Sequence, residues 1–358
     1  MPLPTLHLTP HSVRRTARGE SWWLAFPFCG TCTRCTSPVS LAHRYQRSEQ
    51  AFVLAIMEMV LNGVSTRKVT KITEELCGSR FSKSTVSQLC TGLDARVRAF
   101  NERPLGSFPF LIIDAMYCKS RTDYDGVVSK AALMISAVNA EGNREILGVR
   151  IGDSESDSFW RETFAWLKDR GVKDLAFVTS DDHRGMVKAL NRSFQGVMWQ
   201  RCQVHFMRNV LSFTPARHKA AMAAGLKRVF ASDDVSEART KSVELAEQLD
   251  KRADRAIECL EQGLEDALAV YALPSKYRRR LKSTNMQERL IQEVRRRERV
   301  IRIFPNEDSV LRLIGALLAE FHEEWQGRKY LDMDDYHEWD AQRKADEKER
   351  NVISMSDT

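Results

Sequence analysis

The chain has 358 residues, 43% of them hydrophobic, with a formal net charge of +7. That length and apolar content support one large core or two to three modules and exclude global disorder. No apolar run approaches the roughly 20 residues that a bilayer-spanning helix needs, so no membrane partner is expected. The eight cysteines are too scattered for a disulfide scaffold and predict reduced thiols in a cytosol.

Residues 1–43 mix Pro, Thr, Arg and a Trp22-Trp23 pair without helical or strand period, which predicts a poorly ordered segment. The run at 22–28 after Arg14-Arg15 lacks the small-residue cleavage site of a signal peptide. Cys29, Cys32 and Cys35 have metal-like spacing but supply three of the four ligands a zinc site needs, so their role stays open.

Residues 44–105 read as a helical domain. Phe52, Ile56, Met59 and Val60 give one apolar face, Ser65-Thr66-Arg67-Lys68 opens a second helix, and Ser82 opens a third after the break at 77–81. Two short helices around a glycine turn suggest a helix-turn-helix, with a recognition helix over 82–93 offering Lys83, Ser84, Thr85 and Ser87 to a DNA groove. Arg67, Lys68 and Lys71 add positive charge, although any three-helix bundle has a similar pattern.

Residues 106–215 alternate strand and helix. Strands are predicted at 109–118, 127–138 and 144–151, then a helix carrying Phe159, Trp160, Phe164 and Leu167, a strand ending at Asp181, a helix over 183–194 and a strand over 197–202. This is an α/β pattern in the order of an RNase H-like mixed-sheet core. Ala, Leu, Lys and Glu dominate 216–282, an α-helical insertion domain; residues 283–330 return to the core and 331–358 form a charged tail.

Two apolar runs end on carboxylates: Phe110-Leu111-Ile112-Ile113-Asp114 and Leu175 through Asp181. Strands buried on both faces read as continuous apolar sequence, and chemistry in such sheets gathers at strand ends. With Glu288 from a later helix, Asp114 and Asp181 would make a hard oxygen-ligand cluster suited to Mg²⁺ or Mn²⁺. An Asp after an apolar run is more commonly a turn former. Asp182 competes with Asp181, and Glu293 and Glu298 compete with Glu288, since five helical residues turn a side chain through more than a full rotation.

The words LIIDAMYCKSR, FVTSDDHRGM, WQRCQVHFMRNV and STNMQERLIQEVRRRERVIRIFPNE resemble, in order, those of bacterial DDE transposases of the Mutator-like family typified by insertion sequence 256, over residues 44–325. The resemblance implies an RNase H-like core that cuts and joins DNA with Asp114, Asp181 and Glu288 as catalytic metal ligands, two Mg²⁺ (or Mn²⁺) ions, and a dimer or higher oligomer on terminal inverted repeats and target DNA. It also implies a cytoplasmic, nucleoid-associated protein. Cys202 and His205 match a Cys-x-x-His signature and are expected to support the active site. Arg289, Arg295, Arg296 and Arg297 are expected to contact phosphate, with Lys276, Arg278, Arg279 and Arg280 as a second basic cluster. The start of the chain departs from the family pattern, so a truncated, catalytically defective DNA-binding remnant is the alternative. A repair or recombination nuclease is a third reading, without a junction-recognition feature to favour it.

Overall fold

The computed structural model describes residues 52–77, 82–122, 126–153 and 156–356; the Cys29, Cys32 and Cys35 cluster and the expected break at 78–81 lie outside them. Four helices open the described chain: α1 (52–61), α2 (Thr66–Cys77), α3 (Lys83–Leu89) and, after a short 3-10 turn, α4 (Leu93–Glu102). The small core of the first three centres on Ile56, Val69 and Val86. Ser82 starts α3 as an N-cap, its hydroxyl accepting the Thr85 N–H at 3.0 Å. The recognition helix expected over 82–93 is therefore only seven residues long. Its expected continuation is α4, which buries Leu93, Val97 and Phe100 in the core of the sheet.

Strands β1 (Phe110–Thr122), β2 (Gly126–Val138) and β3 (Arg144–Gly152) pair antiparallel, while β4 (Phe177–Ser180) and β5 (Met198–Arg201) run parallel to β1. The result is an α/β fold around a mixed five-stranded sheet in the order β3-β2-β1-β4-β5. Alternation along β1 sends Phe110, Ile112, Met116 and Cys118 to one face and Leu111 and Ile113 to the other. Helices cover both faces, which is why these strands read as near-continuous apolar runs.

On the second face lie α5 (Asp157–Asp169) and α6 (Arg184–Ser193), joined through Phe164, Leu167, Met186 and Leu190. Ser156 caps α5 by accepting the Phe159 N–H at 3.2 Å. The first face is covered by α4, α11 (Ser275–Leu281), α12 (Asn285–Ile301) and α13 (Glu307–Trp325). Between the sheet and α11, α7 (Gln203–Phe213), α8 (Lys219–Val229), α9 (Val235–Leu249) and α10 (Asp254–Leu268) build a separate helical core around Phe206, Leu226, Leu245 and Leu260. Buried Gln200 of β5 stitches this layer to the sheet, donating to the Ala267 carbonyl at 2.8 Å and accepting the Val270 N–H at 2.6 Å.

The stretch expected as a charged tail is core at its start. Leu331, Met333 and Tyr336 are buried in the sheet's main cluster, and Trp339 of α14 (Asp334–Ser356) donates to the Ala272 carbonyl at 2.7 Å. Among the described residues, no helix is long and apolar enough to cross a membrane.

Candidate active site

Parallel pairing sets the first two acids side by side. Ile112 of β1 is opposite Thr179 of β4, and two residues farther along each chain stand Asp114 and Asp181, on strands about 4.8 Å apart. Asp114 is half-buried, whereas the Asp181 side chain is 60% exposed. Asp182, the immediate competitor, is drawn elsewhere: its carboxylate lies 3.0 Å from buried Arg201, while that of Asp181 lies 3.7 Å from His205 Nδ1. Successive side chains of extended backbone diverge, and here each neighbour has its own cationic partner.

Cys202 follows β5 and is fully buried. Its sulfur accepts the Thr284 N–H at 3.4 Å and lies 3.6 Å from the Thr284 hydroxyl, and the same Thr284 side chain hydrogen-bonds Asp114. Burial pushes the Asp114 carboxyl up; His205, Thr284 and the Ala115 N–H oppose that rise, and the charge of Asp181 adds to it. His205 is pushed up to about 9, chiefly by its hydrogen bond with Cys202, against the pull of burial and with help from the charges of Cys202, Asp181 and Asp114. For Cys202, burial acts to raise the thiol, yet hydrogen bonds from His205 and Thr284 bring it below its ordinary value. The His205 ring thus stands among Cys202 and two carboxylates, which together favour its charged form.

The segment before α12 crosses the ends of the parallel strands. Thr179 Oγ1 donates to the Leu281 carbonyl at 2.6 Å, and the Gln203 N–H to that of Lys282 at 3.0 Å. Within α12, Gln287, Leu290, Val294 and Arg297 are buried, and Glu288 and Arg289 are exposed. Glu288 accepts from Gln292 at 3.4 Å, one helical turn beyond the Thr284 that touches Asp114. The structure therefore brings together Asp114, Asp181, Cys202, His205 and Thr284, with Glu288 outside that contact set. Among the described residues, no three His, Cys, Asp or Glu side chains stand at metal-holding spacing. In donor type the acids nonetheless suit a hard divalent ion: beyond burial, the charge of Asp181 adds to the cost of ionising Asp114, and a cation relieves it. The rival Glu293 is committed to Arg296, at 3.1 Å, and to Arg297.

Several expected phosphate contacts are corrected by burial and pairing. Arg297 is 7% exposed; its guanidinium donates to the Leu61 carbonyl at 2.8 Å and pairs with Glu293, so it anchors α1 to α12 and cannot meet DNA. In the second basic cluster, Lys276 pairs with Asp335 at 2.9 Å, Arg278 donates to the carbonyls of Leu273, Asp233 and Tyr271, and Arg280 lies over the Tyr330 ring. Lys83, Ser84, Arg67, Lys68, Arg289, Arg295 and Arg296 are exposed, and Thr85 and Ser87 partly so. Ser84 and Thr85 both hydrogen-bond the Ser82 hydroxyl. Thr284 reads in the sequence only as a possible N-cap of the Glu288 helix, and it stands at that position without a side-chain cap bond; Gln287 is not singled out by the sequence, although it carries a signal as a polar residue on the apolar stripe shared with Leu290 and Val294.

Residues 36–328 match the family described as Transposase, Mutator family. The chain belongs to that family. It is similar to the transposase for insertion sequence element IS256 in transposon Tn4001 of Staphylococcus aureus, at 42% identity over 297 residues, 81% of this chain and 76% of that relative. The transposase for ISRM5 of Rhizobium meliloti is 42% identical over 300 residues, 83% of this chain and 75% of its own. That for IS1081 of Mycobacterium tuberculosis is 37% identical over 300 residues, covering 83% and 72%. The Mutator-family match includes Asp114, Asp181, the Cys202 and His205 pair and all of α12.

Proposed function

We propose that this Mutator-family protein is the transposase of a bacterial insertion sequence, with an RNase H-like core that cleaves DNA at terminal inverted repeats and joins a freed 3′-hydroxyl to target DNA. The observation that carries the reading is the placing of Asp114, inside β1, next to Asp181, just past the end of the parallel strand β4, with His205 beside them. In this reading Asp114, Asp181 and Glu288 are the residues that would hold two divalent ions. When bound, Mg²⁺ or Mn²⁺ supplies an activated oxygen and charge relief at phosphorus. Asp114 and Asp181 would hold the cations where β1 runs past the end of β4, with the His205 ring 3.7 Å from Asp181.

The proposed domain plan assigns the α1 to α3 bundle to helix-turn-helix-like DNA binding through Arg67, Lys68, Lys83 and Ser87, and α7 to α10 to the insertion. Arg289, Arg295 and Arg296 line the exposed side of α12, where their charge suits backbone phosphates. Assembly as a dimer or larger complex on two element ends belongs to the same reading. The remnant alternative is not favoured, because the family match takes in every residue of the proposed site. Purified protein incubated with labelled inverted-repeat duplex should yield nicked and joined products with Mg²⁺ and none with a chelator. Intact duplex under both conditions overturns the reading.

A further inference from the structure

Gln287 is 0% exposed and lies on the side of α12 that packs against the sheet, one residue before Glu288. Its amide nitrogen meets the Ile112 carbonyl at 2.9 Å, the Met134 carbonyl at 3.2 Å and the Ser136 hydroxyl at 3.0 Å, and its Oε1 has no partner. The opposite amide orientation would set Oε1 against two carbonyl oxygens, so chemistry selects the one observed. These acceptors surround the first acid: Ile112 is two residues before Asp114 on β1, and Met134 is the cross-strand partner of Asp114 on β2. A buried amide with an orphaned oxygen is a poor choice for stability alone, where an apolar chain of equal volume would serve. Directional bonds add what apolar packing lacks: they fix the rotation and height of the helix.

We propose that Gln287 is the positioning residue of the third acid, its amide locking α12 onto β1 and β2 so that Glu288 is held in register with Asp114. The inference rests on the functional reading above and adds a device that sets the acid's geometry from inside the core. Gln287 touches neither DNA nor metal.

The test uses the full chain bound to an inverted-repeat duplex, with Mn²⁺ as the probe. Gln287→Met keeps length and apolar bulk but has no N–H to donate. Its melting temperature should equal or exceed that of the parent, and its DNA affinity and KM should stay within about twofold, because nothing on the DNA-facing surface changes. By contrast, the half-saturating Mn²⁺ concentration, followed by electron paramagnetic resonance, should rise on the order of tenfold, as it does when groups that orient metal ligands are lost. Turnover should fall with it. Parent-like Mn²⁺ binding and turnover in Gln287→Met overturn the proposal. Should that variant fail to fold, Ser136→Ala removes one of the three acceptors and should move Mn²⁺ binding in the same direction by a smaller factor; no change overturns the proposal equally. Glu288→Gln is measured in parallel. If it binds Mn²⁺ like the parent while Gln287→Met does not, Gln287 is not acting through Glu288. A parent protein that neither binds Mn²⁺ nor cleaves DNA removes the functional reading, and the proposal falls with it.

Discussion

The sheet core and the N-terminal helical bundle are built to different standards. The sheet is sealed on both faces by apolar clusters, whereas among the described residues the apolar cluster of the α1 to α3 bundle has just Ile56, Val69 and Val86 at its buried centre. Such a small core buries little of the surface its chain exposes and is marginal alone. It is tied to the sheet by Leu61, which joins the main cluster, and by Arg297, which grips the Leu61 carbonyl. A rigid sheet suits chemistry that needs fixed carboxylates, and a lightly built bundle suits a surface that adapts to a partner.

The largest effect should come from the rigid side. Asp114→Asn or Asp181→Asn should lower strand cleavage by about 10³-fold or more, since each removes a proposed metal ligand, with end binding retained in gel-shift assays. Simultaneous loss of binding in a protein still folded by circular dichroism would show that the two regions do not act separately. Next comes Ile56→Ala, which should cost about 2–5 kcal/mol. In the bundle that is enough to open α1 to α3 to hydrogen exchange and abolish DNA binding, while β1 to β5 stay protected. Exchange that rises across both regions together would make them one cooperative unit.

A third measurement uses the joint between α4 and α13. His322 is 8% exposed and packs on Phe100 with ring centroids 5.6 Å apart; burial, helped by the charge of Arg103, pushes it down to about 4. The folded value lies below the unfolded one, so the unfolded chain binds the extra proton between about pH 6.5 and 4. The stabilisation is full above pH 6.5 and is lost as pH falls through that window, by at most roughly 3 kcal/mol. His322→Phe should flatten this part of the pH–stability curve in urea titrations. An unchanged acid slope would place the sensitivity elsewhere. The smallest effect is expected for Arg295→Ala: the salt dependence of DNA binding should lose about one unit of slope without a change in sequence preference.

Much of this was visible in the residues. The apolar runs through Phe110–Ile113 and Ala176–Val178 located both strands, because strands covered on both faces leave no solvent alternation to mislead; Asp181 stands just past the end of β4, but β1 continues to Thr122, so Asp114 lies inside its strand and not at the end that the apolar run suggested. Asp181 and Asp182 were harder: only the position of Arg201 across the ladder shows why one carboxylate turns away. The arginine run from Arg295 to Arg297 resisted reading for a different reason, since a run of one residue type hides the face each member takes. Counting from Leu290 and Val294 puts Arg297 on the inward stripe, where it closes the gap to α1. Gln287 needed three dimensions as well, because its partners lie on two strands more than 150 positions earlier.

The cover of the sheet's first face has a consequence for how the chain is made. Strands β1 to β5 leave the ribosome first, but α11 to α14, which close over Phe110, Ile112 and Met134, are synthesised only after the helical insertion. At about 5–20 residues per second, that apolar face waits several seconds for its own lid. Until then that face has α4 as its cover and is a substrate for chaperones and for aggregation, and the carboxylate of Glu288 joins the sheet only after the helical insertion has been made. On the proposed reading, the set of three acids is complete only once that insertion has been made.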